Sequence, residues 1–334
     1  LTLGASVLHR TRLGRRIRHR LPSSWVEETR AIRRFFAAGR FDVIYSNTIT
    51  NGPVLEALGS FGTPVITHVH ELEYWISRTG AENLRAVKAC TSSYIAASQA
   101  VSDNLVHNHG VPAERITTVY EHIRELPTVS SDEQRTAART LLKIPTNAFV
   151  IGGCGAEHWR KGRDLIPQLL IALRRLAPEQ PFHFVWVGRP GTAEEQYSLH
   201  YDLRTAGVDH LYHDSGETCD PLSLFASFDA FALLSRDDPY PLACLEVAAL
   251  ERPVVCFTGA GGIPEFVRGD CGLAAPYLDL EAMARDFVRL AQDPALARRY
   301  GTNARAKVAR ENLLDATGPQ LCRVIENCLK RAPS

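Results

Sequence analysis

Short apolar runs alternate with stretches of helical periodicity along most of the chain, and these runs fall into two series. Short buried strands separated by amphipathic helices are typical of repeated βα units, which assemble into a parallel sheet. The first series predicts strands at 41–46, 64–69, 93–98 and 115–120, with helices at 52–60, 82–90 and 99–109. The second series predicts strands at 148–153, 182–188, 210–214, 229–235 and 253–259, with helices at 162–176, 193–206, 220–227, 242–251 and 262–268.

A polar segment that contains Pro and Ser separates the two series at residues 122–133. Such segments are typical of domain boundaries, because linkers are exposed. We predict an α/β fold of two Rossmann-like, doubly wound parallel-sheet domains, one over 1–123 and the other over 124–302. The two domains are expected to face a cleft, since ligands bind beyond the carboxyl ends of parallel strands.

The two ends of the chain differ from this pattern. The tail from 280 to 330 is almost continuously helical in periodicity, with predicted breaks at Asp293-Pro294 and at Gly301, and 303–334 is assigned to a C-terminal helix. No βα unit opens the chain, so we expect the N-terminus to be incomplete and the first domain to lack its first strand.

The composition is that of an ordinary globular protein. Apolar residues make up 45% of the 334 positions, and 38 Lys and Arg balance 37 Asp and Glu. A net charge of +1 does not indicate a nucleic-acid partner. No apolar run approaches a membrane span, and the arginines from Arg10 onward come too early for a secretory signal, so a cytoplasmic location is expected. The eight cysteines lack a CxxC pair, which favours reduced, buried thiols over disulfides or zinc.

The strongest local signal lies at 235–267. Asp238 lies in a loop with two prolines, and a helix predicted to begin near Leu242 carries Glu246 among apolar residues. A carboxylate in such a helix needs a partner. A structural salt bridge is one interpretation, and a ligand diol such as ribose is the sharper one, because an ionised carboxylate accepts two hydrogen bonds. The free amides of Leu242 and Ala243 at the helix start suit a phosphate.

Two cations follow the predicted strand 148–153. Arg160 and Lys161 come just before Gly162, and a helix of apolar periodicity follows. Cations beyond the carboxyl end of a strand are well placed to neutralise a diphosphate, arginine as a bidentate fork and lysine as a point charge. An exposed surface pair is the alternative. Ligand binding is favoured because this loop and the Glu246 helix lie at the same edge of one predicted sheet.

A glycine-rich turn with Gly259, Gly261 and Gly262 follows the last predicted strand. Without side chains, these residues let the backbone approach a ligand closely, although a plain tight turn is the alternative. The turn is not a dinucleotide fingerprint, since Pro264 stands in the place of its last glycine. The sequence also has no G-x-x-x-x-G-K-[ST] loop, so an oxidoreductase and a P-loop enzyme are both disfavoured.

His70 and Glu71 lie at the end of the predicted strand 64–69 and are our candidates for contact with a substrate. His68 and His70 share one face of that strand, as two zinc ligands would, but no third ligand follows at a convincing spacing. The arginine-rich run of Arg10–Arg20 reads as a solvated helix face, and a peripheral contact with an anionic membrane is its functional alternative.

The ordered segments FDVIYSN, PVITHVHE, YIAASQAVSDNL, GVPAERI, WRKGRDL, HFVWVG, DAFALLS, DPYPLACLEVAALERPVV and GAGGIPEFV resemble glycosyltransferase family 4. Its members are retaining GT-B enzymes that use nucleotide sugars. The resemblance covers roughly residues 40 to 275 and is most specific at 235–267. It implies the GT-B arrangement of two Rossmann-like domains, with a donor site mainly in the second, an acceptor site mainly in the first, and a C-terminal helix that returns to the first.

The resemblance also assigns roles to residues. The second acid of the family's E-x7-E pattern falls on Glu246, which would hold the ribose, and the first falls on Asp238, which would contact the transferred sugar. Lys161 and Arg160 would bind the diphosphate, and His70 would lie near the anomeric carbon. The backbone of Leu242 and Ala243 would contact phosphate, with Gly261 and Gly262 nearby.

The implied reaction moves a hexosyl unit from a nucleoside diphosphate sugar to an acceptor hydroxyl, with no metal and no other cofactor. The implied acceptor is a glycan or lipid-linked glycan of the cell envelope or an exopolysaccharide. Three departures keep alternatives open: Asp238 replaces the usual Glu, Ala156 stands where the family commonly has Arg, and the family's first strand with its glycine-rich loop is not visible in the sequence. The alternatives are a GT-B sugar-nucleotide epimerase and a catalytically degenerate scaffold that binds nucleotide sugars.

Overall fold

The computed structural model describes residues 31–34, 36–37 and 41–331. The chain divides into two compact units. The first unit runs to Tyr120 and takes in the residues from Gly318 onward, and the second is Glu121–Thr317. Each unit contains its own parallel sheet with helices between the strands, which confirms the predicted class of two Rossmann-like α/β domains. The arginine-rich run Arg10–Arg20 lies outside the described residues, so its membrane contact stays a prediction.

The first unit is built on a four-stranded parallel sheet in the order β1-β2-β3-β4. Its strands are β1 (Ile44–Ser46), β2 (Val65–Val69), β3 (Ser93–Ala96) and β4 (Ile116–Thr118). The helices between and after them are α1 (Gly52–Leu58), α2 (Glu73–Arg78), α3 (Ala81–Cys90) and α4 (Gln99–His107).

Both faces of this sheet are covered, because successive side chains of a strand point to opposite sides. Val65 and Val69 of β2 pack in one apolar cluster. Ile66, which lies between them in sequence, packs on the other face with Val324 and Cys328 near the end of the chain. The last helix therefore completes the core of the first unit.

The second unit is built on a six-stranded parallel sheet in the order β10-β9-β8-β5-β6-β7. Its strands are β5 (Phe149–Cys154), β6 (Phe182–Val187), β7 (Tyr212–Asp214), β8 (Ala230–Leu233), β9 (Val254–Phe257) and β10 (Gly272–Ala275). Its first helices are α5 (Asp132–Leu141), α6 (Ile166–Leu176), α7 (Ala193–Thr205) and α8 (Pro221–Phe225). The others are α9 (Leu242–Ala249), α10 (Ile263–Val267), α11 (Leu280–Gln292) and α12 (Pro294–Glu311), and α13 (Leu314–Arg331) leads into the first unit.

The strand order of the second unit reverses between β5 and β8. These strands pair with each other, yet the chain leaves β5 toward β6 and leaves β8 toward β9 on the opposite side. The loops that follow β5 and β8 therefore diverge at the carboxyl edge of the sheet. Such a topological switch point is where open α/β sheets bind ligands.

Every strand predicted from the sequence is present, and the structure adds β10, which the sequence analysis missed. Three of its four residues are Gly or Ala, and the strand lacks the β-branched side chains that marked the other strands. All eight cysteines are free, as predicted, although Cys219 and Cys322 are exposed. Within the described part of the chain, no helix is both long and apolar enough to cross a membrane.

The predicted helix break at Asp293-Pro294 is confirmed, but the one at Gly301 is wrong. Helix α12 continues through Gly301 to Glu311. A Cβ on Gly301 would lie 2.0 Å from the carbonyl oxygen of Glu251, two residues after the end of α9. The glycine is needed for this close approach of α12, because any side chain there would push the helix away.

Replacing Gly301 by alanine should therefore destabilise the protein, although alanine favours an isolated helix over glycine by roughly 1 kcal/mol. We expect a net loss of about 1–3 kcal/mol, because the backbone of Glu251 cannot yield to the added methyl group. Urea denaturation measures this loss. The control Thr302→Ala, at an exposed position of the same helix, should change stability by less than about 0.5 kcal/mol. A neutral or stabilising Gly301→Ala would contradict the packing argument.

Candidate functional site

The candidate site lies in the second unit, where the loops after β5 and β8 begin. Arg160 and Lys161 lie on the first loop in a single turn of 3-10 helix, Trp159–Lys161. A second such turn follows, so α6 begins at Ile166, later than the predicted helix start. The backbone amide of Arg236 on the second loop donates to the carbonyl of Arg160 at 2.8 Å. The two loops are thus joined directly.

Gly162 explains why a glycine follows the two cations. Its φ of +71° lies in the left-handed region that favours glycine. A Cβ at this position would lie 2.0 Å from the carbonyl oxygen of Leu234, just after β8. Only a residue without a side chain lets the loop of Lys161 lie against the end of that strand.

The buried carboxylate of Asp238 holds the two cations. Lys161 Nζ lies 2.6 Å from Asp238 Oδ2, and Arg160 Nη1 lies 3.4 Å from the same oxygen. Ser235 Oγ also donates to Oδ2, at 3.0 Å. Asp238 is 5% exposed, so these contacts compensate its charge away from water. Among the described residues, none donates a hydrogen bond to the second oxygen, Oδ1.

The glycine-rich turn after β9 is attached to the same loop. The backbone amide of Asp238 donates to the carbonyl of Ala260 at 2.7 Å, and Asp238 pairs with Gly261 in an isolated parallel bridge. The amide of Gly262 donates to the carbonyl of Pro239 at 3.0 Å. The structure therefore brings Gly261 and Gly262 together with Asp238, Lys161 and Arg160.

Helix α9 begins beside Asp238 with two free amides. Pro241 is its N-cap and supplies no side-chain hydrogen bond. The amide of Cys244 donates to the carbonyl of Pro241, whereas those of Leu242 and Ala243 find no acceptor among the described residues. These two amides and the helix dipole make the N-terminus of α9 suited to an anion.

Glu246 lies one turn into α9 and makes no hydrogen bond or ion pair within the described residues. Burial raises the pKa of its carboxyl group, and no basic side chain offsets the effect. The Cys154 thiol at the end of β5 is close enough for the Glu246 charge to act on it. Burial, with a smaller contribution from Glu246, raises the pKa of that thiol to about 11. The described residues thus offer no salt bridge to Glu246, and its binding of a ligand stays a prediction.

His70 belongs to the first unit, where it follows β2. Its Nε2 lies 2.8 Å from Asn47 Oδ1, and the centre of its ring lies 3.9 Å from that of His68, with the two rings tilted by 40°. Glu71 accepts hydrogen bonds from the Thr48 hydroxyl and the backbone amides of Ile49 and His70. Glu71 therefore shapes the loop after β1.

The sequence analysis missed Arg163, the third cation of the WRKGR segment. Its guanidinium is fully buried, donates twice to Tyr212 Oη at 2.9 and 2.6 Å, and pairs with Glu157 and Asp214. It also lies 5.8 Å from the centre of the Trp186 ring. Arg163 thus ties the Lys161 loop to β6 and β7. Nothing in the sequence alone distinguishes this buried arginine from its neighbour Arg160.

Comparison with known proteins agrees with this architecture. A model described as Glycosyltransferase Family 4 matches residues 3–123, and one described as Glycosyl transferases group 1 matches residues 148–293. The fold is GT-B, as in the crystal structure of Anabaena HepE in complex with UDP-glucose. That structure superposes with a TM-score of 0.78 at 20% identity, covering 91% of this chain and 82% of HepE. The chain belongs to glycosyltransferase family 4.

Curated relatives are similar over most of this chain. Glycogen synthase of Mycobacterium tuberculosis is 26% identical over 290 residues, which cover 82% of this chain and 64% of the relative. D-inositol 3-phosphate glycosyltransferase of Saccharomonospora viridis is 26% identical over 321 residues, covering 88% of this chain and 72% of the relative. The chain therefore spans less than two thirds of the length of the glycogen synthase.

Replacing Arg163 by Gln should destabilise the second unit strongly, because Glu157 and Asp214 would be left partly buried without their cation. The expected loss is about 3–5 kcal/mol in the free energy of unfolding. A matched control is Arg175→Gln, which removes an exposed pair with Glu281 and should cost at most about 1 kcal/mol. Denaturant titration compares the two. Equal effects would mean that Arg163 does not anchor the loop.

Proposed function

We propose that the protein is a retaining glycosyltransferase that moves a hexosyl unit from a nucleoside diphosphate sugar to an acceptor hydroxyl. One observation carries the proposal: an unpaired, half-buried carboxylate, two free helix amides and two cations lie at one edge of the second sheet. Family membership supports the same reaction class.

The donor would bind in two parts. Glu246 would accept hydrogen bonds from both ribose hydroxyls, because an ionised carboxylate offers two oxygens in one plane. The amides of Leu242 and Ala243 would hold a phosphate at the positive end of α9. Lys161 and Arg160 would neutralise the diphosphate. The Arg160 Nε is buried without an acceptor among the described residues, so this donor would be left for a diphosphate oxygen.

Asp238 would have two tasks, one for each oxygen. Its Oδ2 holds Lys161 in place before any donor arrives, so the lysine is already oriented toward the site. Its Oδ1 is left for a hydroxyl of the transferred sugar. The family's usual Glu is one methylene longer, and Asp238 is short enough to stay in contact with Ser235 and Lys161 at once.

The reaction would break the bond between the anomeric carbon and the diphosphate oxygen and form a bond to the acceptor oxygen on the same face. The departing phosphate oxygen would take the acceptor proton, so that the reaction needs no carboxylate pair of the kind that retaining hydrolases use. Lys161, Arg160 and the α9 amides would stabilise the charge that grows on the leaving diphosphate. These protein cations would serve in place of a metal ion.

The acceptor would be a glycan or a lipid-linked glycan in cell-envelope or exopolysaccharide synthesis. His70 of the first unit would contact the sugar near the anomeric carbon. A cytoplasmic protein with a peripheral contact at the inner face of the membrane fits this role, and the contact would use Arg10–Arg20. No nucleic-acid partner is proposed.

Incubation with a panel of nucleotide sugars, beginning with UDP-glucose, tests the proposal. We expect release of the nucleoside diphosphate, by transfer to an acceptor glycan or to water. Glu246→Gln should weaken donor binding by roughly tenfold or more, and Lys161→Gln should lower kcat by about 100-fold. The control Glu194→Gln, at an exposed position of α7, should change neither.

Other outcomes of that experiment favour the alternatives. An epimeric nucleotide sugar without diphosphate release would identify an epimerase, and tight binding without turnover would identify a scaffold. Unchanged donor affinity in Glu246→Gln would contradict the role given to that residue.

Donor binding should depend on pH through Glu246. The ribose hydroxyls donate to the ionised carboxylate, so affinity is present above the pKa of Glu246 and is lost as the pH falls through it. Because burial raises this pKa, the loss should begin at a higher pH than for an exposed glutamate. Calorimetric titration of UDP-glucose between about pH 7.5 and about pH 5 measures it. Glu246→Gln should remove the pH dependence. A wild-type affinity that stays constant over this range would contradict the binding of ribose by ionised Glu246.

A further inference from the structure

A cavity lies in the second unit at the opposite edge of the sheet from the candidate donor site. Its volume is about 540 Å³, which is within the usual range for a small-molecule site. It is lined by the residues that precede β5, β8 and β9, and by parts of α5, α11 and α12. Neither the family resemblance nor the proposed function uses this edge.

The cavity wall carries an excess of positive charge. Four arginines line it (Arg135, Arg139, Arg252 and Arg298), against two acids (Asp229 and Glu251). Asp229 is already satisfied, since its carboxylate pairs with Arg135 and with Arg139 and accepts the Val150 amide at 2.7 Å. Arg139 also donates from Nε to the carbonyl of Ser227 and from Nη1 to the carbonyls of Thr146 and Ala148.

Arg252 is the arginine of the cavity wall that takes no part in this hydrogen-bond network. Its guanidinium makes no hydrogen bond or ion pair with any described residue, and its Nε is buried without an acceptor. Burial lowers the pKa of Arg252, and the nearby charges of Arg135 and Arg139 lower it further, against a smaller opposite effect of the acids Asp229 and Glu251. A half-buried arginine among other arginines is costly unless an anion compensates it. Arg298, exposed on α12, is likewise unpaired within the described residues.

We propose that this cavity is an anion site that binds a small molecule bearing a phosphate monoester. The wall carries two more positive than negative charges, and a phosphate monoester brings about −1.5 to −2 at pH 7. The forked guanidinium of Arg252 matches phosphate geometry. Thr146, Asn147, Gln180 and Thr302 line the same cavity and offer hydrogen bonds to the rest of the molecule.

Calorimetric titration tests the site with inorganic phosphate and with glycerol 3-phosphate as probes, and with glycerol as the uncharged control. The protein carries Lys161→Gln, so that phosphate binding at the candidate donor site is weakened and the two sites are distinguished. We expect saturable binding of both phosphates and none of glycerol. Adding Arg252→Gln should weaken binding roughly tenfold or more, and adding Arg298→Gln roughly threefold. Arg204→Gln, which removes an exposed charge of α7, should have no effect.

The titrations distinguish a phosphate site in this cavity from its absence. Absence of saturable phosphate binding to the Lys161→Gln protein overturns the proposal, and so does unchanged affinity in Arg252→Gln. Should Arg252→Gln fail to fold, Arg298→Gln decides, because its side chain is exposed and its loss is tolerated; unchanged affinity there overturns the site. Because binding is measured without turnover, the result is independent of whether the protein transfers sugar.

Discussion

The pairing of β5 with β8 is the constraint on which the candidate site depends. These strands are far apart in sequence, and the chain leaves them in opposite directions, so the loops that follow them end side by side at one edge of the sheet. Gly162 and the Arg236 amide then lock the loops together. Without the pairing of β5 with β8, Lys161 and Asp238 could not form a hydrogen bond, and the helix that carries Glu246 would not begin beside the two cations.

The two carboxylates of the site differ in whether nearby side chains compensate their charge, and this difference separates their roles. The charge of Asp238 is compensated by Lys161, Arg160 and Ser235, so the protein itself stabilises this carboxylate, which fixes the position of the cations. Glu246 has no such partner among the described residues, and its burial raises its pKa. An uncompensated acid lowers stability, which is a cost that binding sites commonly carry because the ligand supplies the missing donors.

Arginines of the second unit show the same contrast. Arg163 is fully buried, and two carboxylates, a tyrosine hydroxyl and aromatic rings compensate it, so its role is to hold the Lys161 loop. Arg252 lies at the opposite edge of the sheet. The two arginines beside it, Arg135 and Arg139, form the ion pairs with Asp229. The guanidinium of Arg252 has no hydrogen bond or ion pair among the described residues, whereas the guanidinium of Arg163 has several. A buried charged side chain is not by itself a sign of a binding site, but a buried charged side chain without a compensating partner points to one.

The sequence by itself determined the two βα series, the loops that carry the cations and the acids, and the helix around Glu246. These features are local, because strand and helix periodicity and the turn residues are properties of neighbouring positions. Only the tertiary structure decided which charges meet. It assigned Lys161 to Asp238, left Glu246 unpaired, buried Arg163 and kept Gly301 inside a helix. Each of these depends on residues distant in the chain, so no local pattern could specify it.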